Sequence, residues 1–197
     1  MRLILASASP RRRELLTALG CPFEVVPSGV AEALAAEPDP RRGAEALALA
    51  KAREVARREP DALVLGADTV VVLDGRPLGK PGSPAEARAF LRALAGRTHE
   101  VITAVALVEA GRETVESVRS RVRMRGYAEA EIEAYLATGE PYDKAGGYAV
   151  QGEGRRLVAE VEGCYTNVVG LPLSTTARLL AARGIPVRAP AAPPRAP

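Results

Sequence analysis

Four parts of this chain gather residue types that hold phosphate anions or activate water. The first is Ser7-Ala8-Ser9-Pro10-Arg11-Arg12-Arg13, two hydroxyls beside three guanidinium groups. Ser9 reads as a helix N-cap and Pro10 as the first helical residue. The arginines then crowd the first turn, where the helix dipole is positive and each cation costs about 0.3–1 kcal/mol unless an anion is present. Hydroxyls and free backbone N–H groups converging there make a phosphate cradle. The plainer alternative is a solvated arginine cluster over ordinary caps.

The second is Asp68, within Leu63-Val64-Leu65-Gly66-Ala67-Asp68-Thr69-Val70-Val71-Val72. A carboxylate between apolar runs is costly to bury unless it is paired or binds a metal. Gly66 and Ala67 leave room for a ligand against the backbone. Asp68 is therefore expected to be a metal ligand or the base that activates water, against the alternative of a turn aspartate bonded to nearby N–H groups. The third is a pair of lysines that could neutralise phosphate. Lys51 borders the apolar face of a helix, where a snorkelling side chain is the alternative. Lys80 lies in Gly79-Lys80-Pro81, which is no Walker loop, since Pro81 stands where Ser or Thr should. The fourth is Asp143-Lys144-Ala145-Gly146-Gly147-Tyr148-Ala149-Val150-Gln151-Gly152. It supplies Asp143 and Lys144 as charges and Gln151 as an amide able to read a base's exocyclic carbonyl or amine; an ordinary glycine-rich turn is the alternative.

Composition narrows the chemistry. His99 is the only histidine of 197 residues, which nearly excludes a histidine metal site or dyad, and it reads as structural. Cys21 and Cys164 are the only cysteines and lie far apart, so reduced thiols in the cytoplasm are expected. The formal net charge of +3 is too mild to argue for nucleic acid or membrane. No apolar run is long enough for a signal segment or a membrane span. Arg119, Arg121, Arg123 and Arg125 alternate with Val118, Ser120, Val122 and Met124, which predicts one solvated and one buried strand face. Aromatics interleaved for base stacking are lacking apart from Tyr127. Asn167 and Gln151 are the only side-chain amides.

These residues need elements to position them. Leu3 to Leu5 reads as a buried strand, followed by a helix to about Leu19 stopped by Gly20. Phe23 to Val26 is a second strand, Ser28 to Pro40 a loop, and Gly43 to Glu59 a strong helix. Leu63–Leu65 and Val70–Leu73 read as two strands separated by the Gly66–Thr69 segment, with a tight hairpin at Asp74-Gly75. Ser83-Pro84-Ala85-Glu86 is a capping box opening a helix that ends at Gly96. A long hairpin of 101–108 and 114–125 turns near Ala110-Gly111. A helix over 129–138, strands at 157–161 and 168–169, and a helix over 173–183 ended by Gly184 complete the pattern. The expectation is one α/β (mixed α+β) domain over residues 1–185 with a mixed sheet, and a disordered Pro/Ala/Arg-rich tail over 186–197.

Taken together, LASASPRRRELL at 5–16, GADTVV at 66–71, LGKP at 78–81, TAVAL at 103–107, DKAGGYAVQG at 143–152 and VVGLPL at 168–173 resemble the Maf family of nucleoside triphosphate pyrophosphatases. The resemblance implies an elongated twisted mixed sheet with flanking helices and a cleft between two lobes, similar to the inosine triphosphate pyrophosphatases. It implies cleavage between the α and β phosphates, a divalent cation (magnesium, or manganese) and a homodimer, in a cytoplasmic house-cleaning enzyme of nucleotide metabolism. Asp68 falls on the family's proton acceptor. Glu32 matches its second acidic residue, so Glu32 and Asp68 are the implied metal ligands. Ser7, Ser9, Arg11, Arg12, Lys51, Thr69, Lys80, Asp143, Lys144 and Gln151 are the implied substrate ligands. Arg11, Thr69 and Gln151 resemble the dTTP and UTP branch rather than the 7-methyl-GTP branch. The rival readings are a pyrophosphatase for 7-methyl-GTP or another modified nucleotide, a nucleotide-binding regulator of septation without turnover, and a nucleic-acid binder using the arginine strand.

Overall fold

A computed structural model describes residues 1–31 and 37–189. In chain order the elements are β1 (Arg2–Leu5), α1 (Pro10–Ala18), β2 (Glu24–Val25), α2 (Pro40–Arg58), β3 (Ala62–Leu73), β4 (Arg76–Leu78), α3 (Pro84–Leu94), β5 (Thr98–Glu109), β6 (Arg112–Met124), α4 (Glu129–Leu136), β7 (Val158–Glu162), α5 (Tyr165–Val169) and α6 (Leu173–Ala181). The strands form one mixed sheet in the order β2-β1-β3-β5-β6-β7, with β4 beside β3. β1 runs parallel to β2 and β3, and the remaining pairs are antiparallel. This is the mixed α/β sheet with flanking helices that the sequence predicted.

The period-2 alternation of β1, β3 and β5 divides the core. Leu3, Leu5, Leu63, Leu65 and Leu107 pack under α1 and α6 on one face. Ile4, Val64, Ala104 and Ala106 meet Ala44, Ala48 and Ala52 of α2 on the other. Past the end of β1, Leu73, Val101, Val122 and Met124 gather against Leu91, Leu94, Ile132 and Tyr135 of α3 and α4.

Several local signals act as expected. Ser9 and Ser83 accept from the N–H groups of Arg12 and Glu86 and cap α1 and α3. Glu86 reaches back to the N–H of Gly82 at 2.7 Å, one residue short of the reciprocal capping-box partner. The arginine strand is solvated on its charged face, where Arg119, Arg121, Arg123 and Arg125 pair with Glu100, Glu162, Glu160 and Glu131. That charge is already matched within the protein, which argues against a phosphate-binding face.

Other expectations are corrected. β3 is a single strand, so Asp68 is a strand residue and not a turn residue. The space beside Gly66 belongs to α2 and not to a ligand: a Cβ there would sit 2.3 Å from the carbonyl oxygen of Ala48. α2 begins at Pro40, earlier than expected, because Asp39 caps it by accepting from the N–H of Arg41. Val168 and Val169 lie in α5 and not in a strand; two apolar residues carry no period that separates the two states. After α6 the chain stays on the core, with Val187 packed against the α1 face and the N–H of Arg188 donating to the carbonyl of Leu19 at 2.8 Å. Glu32 and the end of the predicted tail, 190–197, lie outside the described residues.

Candidate active site

The site arises where β3 loses its neighbour on one side. β1 pairs with β3 only over Ala62–Leu65, and β4 only over Val71–Leu73. Between them β1 has turned away into Ser7-Ala8-Ser9, because Ser9 and Pro10 commit the chain to α1. Asp68 and Thr69 therefore stand at a gap in the sheet edge. A cleft of about 550 Å³ opens there. Its lining includes Ser7, Ser9, Arg11, Arg12, Asp68, Thr69, Lys80, Asp143, Lys144 and Gln151. Residues separated by more than a hundred positions thus meet around one hole.

Asp68 and Thr69 point to opposite faces, as consecutive strand residues must. On the α2 face Asp68 Oδ1 accepts from Lys51 Nζ at 2.8 Å. Both residues are buried. Lys51 does not line the cleft; it stands behind Asp68, where Ala48 and Ala52 let α2 approach β3 closely. On the other face, the buried Arg12 donates from Nε to the carbonyl of Gly170 (2.9 Å), from Nη1 to Ser7 Oγ (3.3 Å) and from Nη2 to Thr69 Oγ1 (3.1 Å). Arg12 thus ties the α1 entry, β3 and the α5 end together, whereas Arg11 faces the cleft at its rim.

Ser7 Oγ accepts from the N–H of Ser9 at 3.2 Å as well as from Arg12. With both lone pairs used, its proton is left to donate outward. Across the cleft, Gly146 N donates to the carbonyl of Gly79 at 3.0 Å and fixes the 143–147 loop beside Lys80. Gly146 has φ +71°, and a Cβ there would meet Val71 at 2.9 Å, so the position needs glycine twice over. Lys144 Nζ donates to Asp143 Oδ1 at 2.5 Å and to the carbonyl of Glu140 at 2.7 Å, and Arg11 Nη1 lies 3.5 Å from Asp143 Oδ2. Partial burial pushes the Asp143 carboxyl up, but the Lys144 hydrogen bond and the Lys144 and Arg11 charges together hold it below the usual carboxylate range.

Among the described residues, four cations (Arg11, Arg12, Lys80, Lys144) and two carboxylates (Asp68, Asp143) line the cleft, a positive balance suited to a polyanion. Part of the lining is apolar: Val71, Val101, Tyr148, Val150, Val168 and Val169 pack in one hydrophobic cluster, and Gln151 also lines the cleft. Sequence reasoning passed over these walls; a lone valine or tyrosine carries no signal until the sheet brings it to the gap. Tyr148 is held from behind by His99, with Nε2 and Oη 2.6 Å apart and the rings edge to face.

The donor set bears on a metal. Among the described residues no three His, Cys, Asp or Glu side chains converge. Asp68 offers hard carboxylate oxygen, and no histidine or cysteine lines the cleft. That fits a hard divalent cation that keeps water and completes its shell with ligand phosphates.

A family profile described as Maf-like protein matches residues 2–183. The chain is 56% identical over 188 residues to the dTTP/UTP pyrophosphatase of Moorella thermoacetica, a match covering 94% of this chain and 97% of the relative. It is 53% identical to the protein of that name from Thermomicrobium roseum, covering 96% and 88%. Against the one from Syntrophus aciditrophicus it is 52% identical, covering 91% and 88%.

Proposed function

The chain belongs to the Maf family, and from that premise we propose that it hydrolyses dTTP and UTP to the monophosphate and pyrophosphate. The observation that carries the reading is Asp68, a buried carboxylate braced by Lys51 at a gap in the sheet edge, in a cleft lined by both cationic and apolar side chains.

The pyrimidine ring lies between the apolar walls with its edge toward Gln151 and Thr69. The triphosphate lies among Arg11, Lys80, Lys144, the Ser7 hydroxyl and the N-terminal N–H groups of α1. Asp68 accepts a proton from the attacking water, and Lys51 holds that carboxylate oriented. The water oxygen bonds to the α-phosphorus, and the α–β bridging oxygen leaves with pyrophosphate. Positioning and fixed positive charge supply most of the rate enhancement. Asp68 would hold a magnesium ion, with Glu32 as its proposed second carboxylate. When bound, the cation would neutralise phosphate oxygens and favour pyrophosphate as leaving group.

A substrate panel tests the assignment. The purified protein is incubated with magnesium and dTTP, UTP, CTP, ATP, GTP or 7-methyl-GTP, and products are separated by chromatography. Preferred conversion of dTTP and UTP to monophosphates is expected. Preference for 7-methyl-GTP would move the chain to a different branch, and nucleotide binding without any product would make it a regulator.

A further inference from the structure

The hydroxyl of Thr69 has only one role left to offer a ligand, and residues behind the cleft wall dictate it. Thr103 pairs with Thr69 across β3 and β5 and is fully buried. Its Oγ1 lies 2.8 Å from the main-chain carbonyl of Asn167, which can only accept, so Thr103 spends its proton there. Thr103 Oγ1 also lies 2.9 Å from Thr69 Oγ1, so in that contact Thr69 must donate. Arg12 Nη2 donates to Thr69 Oγ1 and occupies one of its lone pairs. The Thr69 hydroxyl has then given its proton and one lone pair to the protein, and what remains for the cleft is a single acceptor.

The chain of donors is anchored rather than free to reverse. Asn167 is fully buried and all its side-chain groups are used: Oδ1 accepts from the N–H of Thr103 at 3.0 Å, and Nδ2 donates to the carbonyl of Val101 at 3.0 Å and to Ser120 Oγ at 2.8 Å. Flipping that amide would set N–H against N–H and oxygen against oxygen. Thr69 also shares its sheet face with Val71 and Val101, which belong to the apolar wall of the cleft. The fixed acceptor therefore lies on the sheet face that carries the apolar wall, where a base would stack.

We propose that Thr103 and Asn167 are positioning residues that hold Thr69 as an acceptor only, so that this cleft takes pyrimidines carrying a ring N3–H, as uracil and thymine do, and turns away cytosine, whose N3 presents a lone pair. The inference rests on the pyrimidine nucleotide reading above. It adds to that reading a physical cause for separating UTP from CTP, which differ little in size. A side-chain amide alone separates them poorly, because Gln151 can present either its oxygen or its NH2 by rotating. A hydroxyl whose proton is committed cannot adapt in that way, and a site with fixed polarity rejects a mismatched ligand strongly.

The test compares the wild-type protein with Thr103→Val, Thr103→Ala and Thr103→Ser. kcat/KM is measured for UTP and CTP, Kd is measured for their non-hydrolysable α,β-methylene analogues, and thermal melting reports folding. Val and Ala remove the acceptor that takes the Thr69 proton, and Ala serves if the extra methyl of Val crowds the core. Each should lower the UTP-to-CTP preference about ten-fold or more, partly by improving CTP, while Ser keeps it within about two-fold. Damage to packing alone would lower both substrates together and leave the ratio unchanged. A folded Val or Ala variant with the wild-type ratio in both kcat/KM and Kd overturns the inference. If the wild-type protein turns over neither nucleotide, the pyrophosphatase reading fails, while the Kd ratios of the analogues still decide whether Thr103 sets the preference.

Discussion

Lys51 Nζ stands 2.8 Å from Asp68 Oδ1, with the two side chains only 6% and 12% exposed. A pair this enclosed is strongly coupled, because removing the ammonium takes a close charge partner from a buried carboxylate. Lys51→Met should cost on the order of 3 kcal/mol of stability and most of the activity. Asp68→Asn should remain folded and lose about a hundred-fold to ten-thousand-fold in kcat. The double variant should recover part of the stability lost in Lys51→Met and none of the activity. Denaturant melts and kcat on all three check this; near-normal turnover by folded Asp68→Asn would remove Asp68 as the base.

Gly66 sets how closely α2 approaches β3, and so where Lys51 stands. A methyl group there would lie 2.3 Å from the Ala48 carbonyl oxygen and 2.9 Å from the Ala52 nitrogen, both main-chain atoms that cannot swing aside. Gly66→Ala should therefore destabilise by about 1–3 kcal/mol or more and lower kcat as the ion pair is pulled apart. Gly43→Ala, in α2 with only ordinary contact at 3.8 Å, should instead stabilise by about 0.5–1 kcal/mol. Melting both variants in parallel separates close approach from glycine content.

Burial pushes the His99 imidazole down to about 4. Unfolded histidine takes a proton near pH 6.5, so between pH 6.5 and 4 the unfolded chain holds a proton that the native chain does not. Native stability is then fully present above about pH 6.5 and is lost as pH falls toward 4, by on the order of 3 kcal/mol over the window. Carboxylates titrate nearby, so the quantity to measure is the difference in pH dependence between wild type and His99→Gln. The variant should show the shallower decline. It should also raise KM, because Tyr148 loses the partner that holds it in the cleft wall.

Lys80 lines the cleft beside the 143–147 loop, which is tied to Gly79 by the Gly146 N–H. Lys80→Ala should weaken triphosphate binding, raising KM about ten-fold with a smaller change in kcat. Steady-state kinetics on UTP would show the split, and an unchanged KM would remove Lys80 from the phosphate contacts.

What the sequence made legible was local chemistry: the Ser9 and Ser83 caps, the Asp74-Gly75 turn, the long hairpin, and all the cleft-lining polar residues. What it hid depended on partners far along the chain. β3 reads as two strands because a central carboxylate looks like a break; it runs through because Lys51, brought by α2, takes up the charge. Arg12 reads as one of three cations of a phosphate cradle, yet it is buried on Gly170 and Thr69, contacts that exist only after folding. Thr103 and Asn167 gave no sign beyond the rarity of asparagine, since their meaning lies in one hydrogen-bond chain.

The most direct test of the central claim is hydrolysis of UTP in water enriched in oxygen-18, with magnesium, followed by mass spectrometry of both products. Attack at the α-phosphorus predicts labelled UMP and unlabelled pyrophosphate. Label in pyrophosphate, or release of UDP and inorganic phosphate, would mean that the water reaches a different phosphorus and that the geometry assigned to Asp68 is wrong.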